Sequence, residues 1–148
     1  MQTAVLLEPG ESVLKLLRPM LSPGKSRLLL PRPGEKLRCS LLIVAPGWQQ
    51  PLPDARCRVL LTPSDKAALL GRVRADAAVS FGLSPRESIG FSSLTDGGLS
   101  LSLRREIPCL TGQKLEMQDL PMACAPGEAE DMLCACAARL LLEGIPGA

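Results

Sequence analysis

Apolar and polar residues alternate along several separate stretches of this chain. Leu37, Cys39, Leu41 and Ile43 alternate with Lys36, Arg38 and Ser40, and Cys57, Val59 and Leu61 follow after the loop "APGWQQPLPDA". Val73, Ala75, Ala77, Val79 and Phe81 alternate with Arg72, Arg74, Asp76 and Ser80; Leu99, Leu101 and Leu103 alternate with Ser100, Ser102 and Arg104. Leu115 and Met117 lie between Lys114, Glu116 and Gln118. A period of two marks a strand with one face buried. Between the runs stand Pro33-Gly34, Pro46-Gly47, Asp96-Gly97-Gly98 and Thr111-Gly112, residues that favour tight turns. Short antiparallel strands in two sheets packed face to face would bury one side of each and wet the other. The predicted fold is mainly β: an antiparallel β-sandwich of about six to eight strands with one C-terminal amphipathic helix.

The period changes near the C-terminus. Pro126 and Gly127 precede Glu128, Glu130 and Asp131, acids suited to a helix's first turn, and Gly144 and Pro146 supply a stop. Met132, Leu133, Cys136, Ala137, Leu140 and Leu141 form an apolar stripe at helical spacing. The expected organisation is a single domain over 1–148, the sandwich over 1–125 and the helix over 126–144. "TPSDKAALL" predicts one helical turn between two strands, with Ser64 as its N-cap. "AVLLEPGESVLKLL" fits either a hairpin about Pro9-Gly10 or a strand followed by a short helix that Pro19 ends. The hairpin is the preferred reading.

Composition narrows the chemistry. The 148 residues contain no histidine, tyrosine or asparagine, which removes Ser-His and Cys-His nucleophile pairs, His-containing zinc sites and N-glycosylation acceptors. The net charge of +2 comes from 17 basic and 15 acidic residues without a long run of either sign, and the aromatics are only Trp48, Phe81 and Phe91. That pattern argues against nucleic acid as a partner. The N-terminal "MQTAVLLEPGESVLKLL" lacks the basic start of a signal peptide, and no apolar stretch reaches the ~18 residues of a membrane span. A cytoplasmic location is expected, with the six cysteines reduced and acting as small apolar residues.

Individual motifs add little chemistry. Cys134 and Cys136 sit two apart on the predicted helix, roughly 200° around its axis, so they cannot chelate one ion from an unbroken helix; a metal or redox site would need a distorted helix and further ligands, of which Cys124 is nearest. "SPGKS" at 22–26 lacks the earlier glycine of a phosphate loop, and Pro23-Gly24 make a turn that keeps Ser22 and Lys25 off a shared helix face. Ser22, Thr62 and Ser84, each before a proline, read as turn residues rather than phosphorylation sites. Glu128, Glu130 and Asp131 read as partners of the helix dipole rather than cation ligands. No catalytic, cofactor-binding or metal-binding residue is assigned, and no cofactor or small-molecule substrate is expected.

Cys39, Trp48 and Cys109 stand in the order Cys…Trp…Cys, and "PGEKLRCSLLI" resembles the second strand of an immunoglobulin domain. The resemblance covers about half the chain and implies an immunoglobulin-like architecture; a Cys39–Cys109 bridge would accompany it. Ile107 stands where that family has tyrosine, and Trp48 falls in a loop, so only the architecture is carried over. The same strand is similar to those of coat adaptors and vesicle-tethering sandwiches, which implies a subunit of an intracellular, vesicle-trafficking assembly. The expected function is therefore a non-catalytic protein–protein interaction module, an adaptor or complex subunit whose partners are other protein subunits. Docking would use a sheet edge or the terminal helix, where Cys134, Leu140, Leu141 and Leu142 are the candidate partner-binding residues. The rival readings are a small enzyme, in which Cys57, Cys109 or Cys124 meets a lysine or arginine or a carboxylate acts instead, and a fragment without independent activity.

Overall fold

The structure is a computed structural model that describes residues 2–145 except 33, 70 and 96. Pro33, Asp96 and Pro146, expected as turn or stop residues, lie outside the described residues. In chain order the strands are β1 (Gln2–Leu7), β2 (Ser26–Leu29), β3 (Leu37–Val44), β4 (Ala55–Pro63), β5 (Val73–Phe81), β6 (Ile89–Thr95), β7 (Gly98–Leu103), β8 (Ile107–Pro108), β9 (Lys114–Leu115) and β10 (Gln118–Ala123). The helices are α1 (Ser12–Leu17) and α2 (Ala129–Glu143).

Eight of these strands form one sheet in the order β10-β7-β6-β5-β4-β3-β1-β2, and β8 pairs with β9 alone. Every pairing from β2 across to β6 is parallel, whereas β7 is antiparallel to both β6 and β10. The chain is mainly β, as expected, but the expected antiparallel, immunoglobulin-like sandwich is not what forms. Alternation reports which side a residue faces and is blind to strand direction. The sign of a parallel sheet lay in Leu41–Val44 and Val59–Leu61, which are apolar at consecutive positions because helices or loops cover both faces there. Segments 45–54 and 64–72 are accordingly not hairpin loops; each returns the chain so that the next strand starts in the same direction. With the sandwich goes the bridge, since Cys39 and Cys109 are both free and buried.

The two faces are covered differently. Ala4, Leu6, Leu41, Ile43, Val59 and Leu61 point into the larger core, which also holds α1 and α2. Val5, Leu7, Leu42, Val44 and Leu60 point the other way, into a smaller core roofed by Leu52 and half-buried Trp48 from segment 45–54. At the N-terminus the helical alternative holds in place of the preferred hairpin. The Glu8 carboxylate accepts hydrogen bonds from the Val13 and Leu14 N–H groups at 2.7 and 3.2 Å, satisfying donors that a helix start leaves open. Val13, Leu14, Leu16 and Leu17 are then buried, and Pro19 lies in the 3-10 turn Arg18–Met20 that ends α1. The helical turn expected after Pro63 is the 3-10 segment Ser64–Leu69. The strand expected through Met117 stops at Leu115, Met117 is 70% exposed, and β10 follows, which the alternation did not reveal.

The terminal helix ends where the sequence indicated, with Gly144 at φ +68° donating its N–H to the Leu140 carbonyl at 2.7 Å. Its surroundings differ from those of an amphipathic helix, because every residue from Met132 to Ala138 is buried. Small side chains at Cys134, Ala135, Cys136, Ala137 and Ala138 let α1 and the sheet close around it. Polar ties fix the last turn: Leu110 N–H donates to the Leu141 carbonyl at 2.8 Å, and the Ser22 N–H and hydroxyl donate to the Glu143 carboxylate at 2.9 and 2.7 Å. The sheet's two edges are β2, four residues long with exposed Arg27, and β10, which contains Pro121.

Leu133 is fully buried in α2, so Leu133→Ala is expected to cost about 2–5 kcal/mol, whereas Met117→Ala stays within about 0.5 kcal/mol. Denaturant midpoints of the two variants check this. Truncation before Glu128 is expected to abolish cooperative unfolding, read by the same method, because it uncovers the larger core.

Candidate interaction surface

The residues assigned to partner binding from the sequence are placed by the fold inside the chain. Cys134 and Leu141 are 0% exposed and Leu140 and Leu142 are 2% exposed, so none presents surface as folded. Cys134 lies off the apolar stripe, as its position implied, but the side it faces is filled by the chain itself.

All six thiols are buried, and none is ionised by its surroundings. Burial pushes Cys39 and Cys109 up to about 11 and Cys57 to about 12 from the ordinary 9.0. Burial also raises Cys124, Cys134 and Cys136. Cys136 lies near Cys124, the further cysteine its spacing indicated, and the two thiols influence each other's titration. Among the described residues no group of three or more metal-ligating side chains converges. The acids at the start of α2 make no side-chain cap; Asp131 is shifted upward by burial and by Glu128 beside it. Ser22 is engaged by Glu143, and Gly24 at φ +79° makes "SPGKS" a turn, with Lys25 N–H donating to the Ser22 carbonyl at 3.3 Å. Glu87 is a buried carboxylate: Ser64 donates to one oxygen, and the other has no partner among the described residues.

What the fold assembles, and the sequence reading missed, is a row of arginines. Arg38 pairs in register with Arg56, and Arg56 with Arg74, across three adjacent parallel strands. In-register partners share a face at a strand spacing of about 4.8 Å, and all three residues are exposed. Arg58 joins Arg38, Arg56 and Asp76 in lining a shallow depression of about 350 Å³ over Cys39 and Cys57. Like charges directly opposite one another repel. Neighbouring rows avoid this, since Lys36, Asp54 and Arg72 precede the three strands and Ser40, Arg58 and Asp76 lie two positions further along, each set with a carboxylate. The middle row has none. Among the described residues the single ion pair is Lys15–Glu11, at 4.0 Å, so these arginines have no carboxylate in contact.

A cleft of about 600 Å³ opens at the head of the same strands, lined by Leu7, Trp48 and Leu52 with Lys36, Asp54 and Arg72 at its rim. The Trp48 indole N–H is buried there without a partner among the described residues. A signal for the row was present: Arg38, Arg56 and Arg74 recur at intervals of 18 residues within "LRCSLLIV", "ARCRVLLT" and "VRADAAVS". That interval of 18 equals the offset at which the three parallel strands pair.

The raised thiols have a measurable consequence. Folded values above the unfolded one mean the native state holds protons that the unfolded chain releases, so their contribution is complete below about pH 9 and is lost as pH rises toward 11–12. With no tyrosine to titrate there, denaturant midpoints are expected to stay level from pH 7 to 8.5 and then decline. Alkylation of the native thiols at pH 8 is expected to wait on unfolding; fast reaction at any one of them contradicts the burial. No known protein family, curated protein or solved structure matches the chain.

Proposed function

We propose that this chain is a non-catalytic protein-interaction domain, a subunit or adaptor of a larger cytoplasmic assembly, and that it docks through the arginine row on β3, β4 and β5. The row is the observation that carries the reading. Three exposed, unpaired, adjacent cations cost the isolated domain free energy, and a partner that supplies the missing negative charge offsets that cost. Arginine suits the role because its planar guanidinium donates two parallel hydrogen bonds to a carboxylate. The docking modes first expected fare differently. The terminal helix is enclosed, β10 is interrupted at its edge by Pro121, and β2 offers only four residues for strand addition. The likeness to vesicle-coat sandwiches rested on an antiparallel sandwich and lends no support. No helix among the described residues is long and apolar enough to cross a membrane, which is compatible with the proposed location.

Affinity capture from cytosolic extract tests the reading with the intact chain, the triple variant Arg38→Gln, Arg56→Gln, Arg74→Gln, and Lys114→Gln as an exposed control on β9. The intact chain and the control are expected to recover the same defined subunits, and the triple variant to lose them. Equal recovery by all three removes the row as the contact. The triple variant is also expected to be more stable, by about 0.2–1 kcal/mol for each like-charge pair relieved.

A further inference from the structure

We infer that the arginine row receives an acidic segment of a partner protein, its aspartate or glutamate carboxylates bridging Arg38, Arg56 and Arg74; this rests on the interaction reading above and names the chemistry of its partner. No carboxylate of the described residues lies within 4.0 Å of the row's guanidinium groups, although Asp76 lines the same depression and Asp54 stands in the row before it. Arg58 lines the depression together with Arg38 and Arg56, and Lys36 and Arg72 lie two residues before Arg38 and Arg74, just ahead of β3 and β5.

Carboxylates fit this surface better than a nucleic-acid backbone does. Single strands are held by aromatic platforms as well as charge, and no aromatic side chain lines the depression; Phe81 is 1% exposed, Phe91 packs on the main core, and Trp48 belongs to the neighbouring cleft. A duplex is gripped by about 6–10 phosphate contacts along its length. Here the row is three residues wide, too few cations to grip a duplex along its length. An acidic peptide needs only a few carboxylates in extended or helical spacing, each within reach of a long, flexible side chain. The approach would be steered by charge and weakened by salt.

Fluorescence anisotropy with three probes tests the inference: a labelled peptide of alternating Asp and Glu, a mixed-sequence single-stranded DNA of about equal charge, and vesicles containing phosphatidylserine, each against the intact chain at low and physiological salt. The expected result is saturable binding of the acidic peptide, tighter than that of the DNA or the vesicles. Arg56→Gln, which removes the central member of the row, is expected to weaken peptide binding at least tenfold while its unfolding midpoint holds or rises. Lys114→Gln is expected to change neither. Peptide binding that Arg56→Gln leaves intact overturns the inference, and so does tighter binding of DNA or vesicles. If no probe binds while capture of subunits still depends on the row, the acidic segment is wrong and the interaction reading stands. If capture is also independent of the row, both fall.

Discussion

Parallel strands cannot be held by hairpins, so their pairing lasts only while both faces of the sheet are kept dry. In this chain α2 supplies most of that cover on one face, and the rest of the structure is arranged around it. Its small central residues allow α1 to lie against it, and α1 adds Val13, Leu14, Leu16 and Leu17 to the same core. Leu110 and Ser22, distant in sequence, are drawn to its last turn by hydrogen bonds. The opposite face receives a thinner cover from segment 45–54, with Leu52 as its main apolar contribution. Cover on both sides reaches the C-terminal halves of β3 and β4 and fades toward their starts, where Arg38 and Arg56 stand in solvent.

This gradient reverses the usual polarity of an open parallel sheet. Ligands of such sheets gather beyond the carboxyl ends of the strands, where the order reverses direction. The reversal falls between β1 and β3 here, and the chain fills it with its own groups. The Glu8 carboxylate takes the N–H donors at the start of α1, and Pro9 packs close to Gly47. The charged and open features lie at the other end of β3, β4 and β5, among the arginines and the Trp48 cleft.

Several elements were readable from the residues alone. The alternating runs located β3, β4, β5 and β7, and the glycine and acids around α2 placed its ends within about three residues. Strand direction was not readable from alternation, because period two is common to both kinds of sheet. The consecutive apolar residues 41–44 and 59–61 carried that information and were overshadowed by the cleaner alternation of Arg38, Cys39, Arg56 and Cys57 before them. The candidate site was hidden for a related reason. Charge counted along the chain is balanced, whereas the fold stacks residues 18 apart, so three scattered arginines become neighbours only once the register is known. Cys134 misled in the opposite sense: it lies off the main stripe, and that side of α2 is also buried within the same molecule.

The sheet's outer boundaries bear on how the molecule behaves in company. β10 exposes its free side with Pro121 in the middle, where a backbone donor is missing, and β2 is short and carries Arg27 facing water. An incoming strand finds an incomplete ladder on one flank and little length on the other. Growth of the sheet from molecule to molecule is thereby discouraged, and an eight-stranded ribbon stays finite in a crowded solution.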